Sequence, residues 1–178
     1  LPGLGATLAD RVRKQLPDAP SVAAWDFMSI AMSVFAADRF VARSGSPNGW
    51  TRVIGLDVAL VDPVPWTARA SELAEALRFL TGDVWHLTFR TGGFACPQVQ
   101  RRLHDRDAIC LFSGGLDSFL GALAAMNGGA RPLLVSQGST KEIGPQQRLA
   151  AALGLDAHRF EGRVAERWRQ PYEGSTRA

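Results

Sequence analysis

The sequence predicts an α/β protein: a parallel, doubly wound sheet in the C-terminal half, with a smaller α+β domain before it. Strand-like and helix-like segments alternate from Ala108 to Phe160. Two of the strand segments, Ala108–Phe112 and Pro132–Ser136, are short apolar runs, and such runs mark strands buried on both faces of a parallel sheet. Upstream, a lone strand–helix–strand pattern over 52–90 follows purely helical periodicity. The boundary falls near Asp105, giving an N-terminal accessory domain over 1–104 and a C-terminal domain over 105–178.

Within the N-terminal domain, an amphipathic piece around Leu8–Leu16 is closed by Pro17 and Pro20. Ser21 stands where a helix N-cap belongs. Phe27, Ile30, Ala31, Val34 and Phe35 then recur at helical spacing over 22–41. Residues 43–50 form a turn cluster. At 52–61, Ile54, Leu56, Val58 and Leu60 alternate with Gly55, Asp57 and Ala59, so one strand face is apolar. Pro63 and Pro65 end this strand. A helix over 67–80 carries Leu73, Leu77 and Leu80 on one side and stops at Gly82. A second strand over 84–90 places Trp85, Leu87 and Phe89 on one face, and Thr91-Gly92-Gly93 closes the unit. Residues 95–107 suit a linker or a short helix.

In the C-terminal domain the strand at 108–112 runs into a glycine loop and a helix over 117–126 that ends at Asn127-Gly128-Gly129. The strand at 132–136 precedes a helix over 145–153, with Pro145 in its first turn and Gly154 after its end. A third strand lies at 156–160.

Composition narrows the function classes. A net charge of +3 on 178 residues does not argue for a nucleic-acid or membrane partner. Cys96 and Cys110 are too few for a disulfide framework or a four-thiolate zinc site, so a reduced, cytoplasmic setting is expected. No apolar run approaches the roughly 18 residues of a membrane span. His86, His104 and His158 lack metal-ligand spacing. Cys110, within a strand, reads as an inert core thiol, whereas Cys96 lies in a loop and is a candidate reactive thiol. Lys141 and Arg148 flank the second helix and read as solvent-facing charge. The chain opens on Leu1 and closes on Gly174-Ser175-Thr176-Arg177-Ala178, so a piece of a longer protein, cut within its C-terminal domain, is expected.

The chemistry-bearing segment is Ser113-Gly114-Gly115-Leu116-Asp117-Ser118, directly after a strand and directly before a helix. Gly114 and Gly115 let the backbone turn sharply and approach a bulky anion. Their N–H groups and those opening the helix can converge on phosphate oxygens. Ser113 and Ser118 add hydroxyls at the two ends. Asp117 would repel phosphate unless it helps hold Mg²⁺ or caps the helix. The segment is not the lysine-bearing P-loop, because no lysine occurs from 101 to 140.

These residues resemble the phosphate loop of the PP-loop ATP pyrophosphatase superfamily. The resemblance implies a doubly wound HUP-type sheet that binds ATP with Mg²⁺, forms an adenylated substrate and releases pyrophosphate. It implies that Ser113, Gly114, Gly115, Leu116, Asp117 and Ser118 hold the departing pyrophosphate, with Asp117 and Ser113 as catalytic residues. Adenine would lie near Phe112, Val135, Ser136 and Gln137, which agrees with the strand-end rule for open α/β sheets. Arg177 stands where the family's downstream basic patch would begin. Ile109–Ser118 and Pro132–Ser136 are similar to the 7-cyano-7-deazaguanine synthase (QueC) branch. The extra N-terminal domain looks like that of the QueC-like family of the Qat anti-phage system. The branch's zinc-binding cysteine cluster has no counterpart in this sequence.

Three functions follow as expectations. The first is a ligase-type enzyme that adenylates a carboxylate, on a 7-deazaguanine base, before an amine displaces AMP. The second is another PP-loop enzyme, such as a tRNA-modifying thiolase. The third is a nucleotide-binding subunit that works with protein partners from the same operon.

Overall fold

The computed structural model describes residues 19–96, 105–136 and 140–159. They form two compact units, 19–96 and 105–159, each with its own parallel sheet. The predicted piece at Leu8–Leu16, together with Gln137, Phe160 and Arg177, lies outside the described residues. Among the described residues no helix is long and apolar enough to cross a membrane.

In the N-terminal unit the Ser21 hydroxyl accepts the Ala24 N–H at 3.2 Å and starts helix α1, Val22–Phe40. Such a cap contributes about 1 kcal/mol. Strands β1, Val53–Leu60, and β2, Val84–Thr91, pair in parallel, with Ile54 beside Trp85 and Val58 beside Phe89. The predicted alternation holds: Ile54, Val58 and Leu60 are buried, and Ile30 and Val34 of α1 pack on Val58 and Leu60. The helix predicted over 67–80 is instead two, α2 at Val64–Thr67 and α3 at Ala70–Thr81. Prolines in a first turn need donate no hydrogen bond, so a short helix starts three residues past the strand, with Pro63 at its cap and Pro65 in its first turn. The chain then leaves helical geometry at Arg69, with φ −114° and ψ 11°. Past β2, the Gly93 N–H donates to the Leu60 carbonyl at 3.0 Å. A Cβ there would lie 2.5 Å from the Leu60 carbonyl carbon, so only glycine allows this approach.

Charges are buried where the two strands begin. Asp83 accepts from the Arg52 backbone N–H at 2.9 Å and from Arg52 Nη2 at 2.5 Å. Arg52 Nη1 also donates to the carbonyls of Asp38 and Val41, both at 2.8 Å, so it closes the last turn of α1. Arg43 adds bonds to both Asp83 carboxylate oxygens at 2.9 and 3.1 Å. Burial pushes the Asp83 carboxyl up, but the Arg52 hydrogen bonds and the charges of Arg52 and Arg43 outweigh it and hold the carboxyl below its ordinary value. Asp26, also buried, accepts the Val61 and Asp62 N–H groups, each at 2.9 Å, where the chain leaves β1.

In the C-terminal unit β3, Ala108–Leu111, pairs with β4, Pro132–Ser136, which pairs with β5, Ala157–Arg159; all are parallel. Helix α4 is Leu116–Asn127 and α5 is Thr140–Ala152. Both pack on one sheet face, because Phe119 and Ala122 of α4 and Leu149 and Ala150 of α5 share a cluster with Cys110, Phe112 and Leu134. The expectation that the first strand is buried on both faces is therefore corrected: Ile109 is 72% and Leu111 80% exposed. Strand order β3-β4-β5 with right-handed crossovers puts both helices on the same side. The described sheet is parallel but not doubly wound. Helix α5 also begins earlier than expected, so Pro145 is interior rather than in the first turn.

Replacing Asp83 by Ala removes one of the two carboxylates that pair with the buried Arg52 guanidinium, the other being Asp38, and should cost about 1.5–3 kcal/mol in urea unfolding. The exposed Arg90–Asp57 pair, 3.0 Å apart, should contribute below about 1 kcal/mol when removed. Asp83's folded pKa is depressed, so its contribution is full above the unfolded value near 3.8 and is lost as pH falls through the lower folded value. Unfolding free energy measured from pH 7 down to pH 2 should show that loss, and Asp83→Asn should flatten it.

Candidate functional site

The glycine loop leaves β3 at the carboxyl edge of the C-terminal sheet. Phe112 donates its N–H to the Val135 carbonyl at 2.7 Å, extending the β3–β4 pairing by one residue. Its ring is 1% exposed and belongs to the core, so Phe112 offers a ligand only backbone. The chain then reverses at Gly114, whose φ of +85° is the left-handed region that glycine adopts without strain. Gly115 is the N-cap residue of α4 and brings no side-chain cap. A helix start without a capping side chain presents N–H groups and the positive end of the helix dipole.

The serine hydroxyls join across this opening. Ser118 Oγ donates to the Gly115 carbonyl at 2.9 Å, the Gly115 N–H donates to Ser113 Oγ at 3.3 Å, and the two hydroxyls are 3.2 Å apart. All three bonds are exposed, so an incoming anion can exchange them for its own oxygens. Leu116 is exposed and supplies a backbone position rather than packing. Asp117 lies in the first turn of α4, after the cap, so it does not cap the helix as one of the two sequence readings allowed. Its side chain is exposed and makes no hydrogen bond or ion pair among the described residues. Among those residues no cluster of three or more His, Cys, Asp or Glu could hold a metal.

Ser136 ends β4 and Val135 precedes it, half-buried. Ser136 is 2% exposed, yet among the described residues its Oγ has no hydrogen-bond partner. An unsatisfied buried hydroxyl costs about 1–3 kcal/mol and invites a ligand or water. The structure brings Phe112–Ser118 and Val135–Ser136 to one edge of one sheet. Gln137 and Arg177 are outside the described residues.

Sequence reasoning passed over Gln146. It is buried on α5, and its Nε2 donates to the Ser113 carbonyl at 3.1 Å. The signal was present: Gln146 stands on the same helical stripe as Leu149, Ala150 and Leu153, an amide on an apolar face. Arg148 is exposed, as expected. Cys96 departs from its reading as a reactive thiol. Its Sγ–H donates to the Pro20 carbonyl at 3.1 Å, and burial, then the nearby Asp26 charge, push its pKa up. A cleft of about 740 Å³ in the N-terminal unit, lined by Asp57, Glu75, Arg78 and His86 among others, shares no residue with the loop.

No protein-family model, curated protein or solved structure matches the chain.

Ser136→Ala should raise the unfolding free energy of the ligand-free chain by about 1 kcal/mol, because it removes an unpaired buried hydroxyl. Chemical denaturation of the two proteins in nucleotide-free buffer reads this directly. A loss of that size would mean the hydroxyl has a structural partner.

Proposed function

We propose that this chain binds ATP at the Ser113–Ser118 loop and adenylates a carboxylate acceptor, releasing pyrophosphate, as a QueC-like member of the PP-loop superfamily. The observation that carries this reading is the strand–loop–helix opening at Gly114–Gly115, where a helix start without a side-chain cap meets two serine hydroxyls at a sheet's carboxyl edge. The Ser136 hydroxyl, unpartnered among the described residues, supports it as a polar contact for the nucleoside end. The acceptor class proposed is a 7-deazaguanine carboxylate, the setting is cytoplasmic anti-phage defence, and the partners are proteins of the same operon. The same reading completes the sheet as doubly wound, with a second layer over Ile109 and Leu111.

The reaction has two steps. An acceptor carboxylate oxygen attacks the α-phosphorus, and the α–β bridging bond breaks with its electron pair leaving on pyrophosphate. An amine then attacks the acyl carbon, the acyl C–O bond breaks with its electron pair leaving on AMP, and the amine's surplus proton passes to solvent. In this scheme the loop N–H groups and the Ser113 and Ser118 hydroxyls hold the β- and γ-phosphates as negative charge moves onto them. Asp117 fits Mg²⁺, which takes one or two carboxylates together with phosphate oxygens and would neutralise that charge. No side chain at the loop is placed as a general base, so the rate enhancement comes from positioning and electrostatics.

A second reading, nucleotide binding without turnover inside a multi-protein assembly, is favoured by the exposed Ile109 and Leu111. Product analysis separates the two. With a carboxylate acceptor and an amine, Mg·ATP should yield AMP and pyrophosphate, and Asp117→Ala should lower that rate on the order of a hundredfold. ADP with inorganic phosphate would rule out α-phosphate chemistry. Tight ATP binding with no turnover, retained in a complex co-purified from the intact operon, would favour the assembly reading.

A further inference from the structure

We infer that Gln146 is a positioning residue of the phosphate loop: a latch from α5 that sets the loop's ligand-ready shape before ATP arrives. The inference rests on the nucleotide reading of that loop. The loop's own serine bonds are exposed, and water competes with each of them. The bond from Gln146 Nε2 to the Ser113 carbonyl is different, because Gln146 is only 2% exposed.

The same side chain also fills the space beside Gly114. A Cβ on Gly114 would lie 2.9 Å from Gln146 Cγ, and 3.6 and 3.7 Å from Gln146 Cα and N. Helix α5 therefore leaves no room for a side chain at Gly114, while the Gln146 amide holds Ser113. The preceding Pro145 is interior to the helix and donates no backbone hydrogen bond there, so the latch extends from just past an interruption in the helix ladder. One residue of a neighbouring helix thus bonds Ser113 and occupies the space a side chain at Gly114 would need. Nothing in the loop's own sequence supplies that constraint.

Pre-organisation converts to affinity simply. If losing the latch leaves the binding-competent loop populated at one part in five to ten, apparent Kd rises by about fivefold to tenfold. Gln146→Met keeps the volume and loses the donor; Gln146→Glu keeps the shape and turns an acceptor toward the Ser113 carbonyl. Calorimetric titration of the full chain with Mg·ATP, and separately with inorganic pyrophosphate, should show that fivefold to tenfold weakening in Gln146→Met. Gln146→Glu should show at least as much. The unfolding midpoint of Gln146→Met should move little, which a purely structural residue would not allow. Unchanged Kd in both variants overturns the positioning role. Absence of binding by the unaltered chain overturns the nucleotide reading itself, and it is seen before any substitution is made.

A cycle independent of nucleotide tests the contact. Gly114→Ala should destabilise less in a Gln146→Ala background than alone, because the 2.9 Å clash is gone while the φ strain stays. Strict additivity of the two substitutions overturns the latch.

Discussion

Parallel strands cannot be joined by a tight turn, and this constraint organises both units. Each return must cross a sheet face, and the crossing is right-handed. In the C-terminal unit two successive crossings in the same direction lay α4 and α5 on one face, sealed by Phe112, Ala122, Leu134 and Ala150. The crossings also bring strand carboxyl ends and helix amino ends to one edge. That edge is where Ser113, Gly114 and Gly115 turn, so the loop's N–H groups face outward as a consequence of topology. Apolar burial fixes the scaffold, and the polar opening comes with it.

The N-terminal unit needs a register for its parallel pair and takes it from charge. Arg52 and Asp83 immediately precede β1 and β2. The Arg52 N–H reaches Asp83, and the Val84 N–H donates to the Arg52 carbonyl at 2.9 Å. A shift of either strand would separate two charges with no water to receive them. An apolar pair of equal volume would hold the strands about as well and specify their alignment less. The arginine's other bonds, to Asp38 and Val41, tie the end of α1 into the same network.

Much of this was legible in the sequence because it depends on neighbours in the chain. The Ser21 cap, the alternating face of Ile54 to Leu60, the stop at Gly82 and the strand–loop–helix around Gly114 are local patterns. What escaped depends on distant partners. Arg52 and Asp83 stand 31 residues apart, and no local pattern pairs them until the fold buries them together. The run from Ala108 to Phe112 is apolar at every position, so it carries no period to show that Ile109 and Leu111 face outward. Pro145 followed a first-turn rule, but a helix tolerates an interior proline by losing one backbone bond, here to the Lys141 carbonyl. At the site, the loop was found from its own residues, whereas Gln146 belongs to a different helix and shows only as an amide out of place on an apolar stripe.

The order of the strands has a consequence at the ribosome. Among the described residues, the strand that pairs with Ala108–Leu111 begins only at Pro132, so Ala108–Leu111 is translated before it. At about 5–20 residues per second, this uncharged segment waits on the order of one to a few seconds for that partner. Asp105, Arg106 and Asp107 stand immediately upstream, and charges placed beside an apolar strand oppose its self-association. Downstream, the next charge is Asp117, the residue proposed to meet magnesium. The carboxylate that is awkward beside phosphate is then also the first charge to emerge after the nascent strand, a gatekeeper in synthesis before it is a ligand in the folded protein.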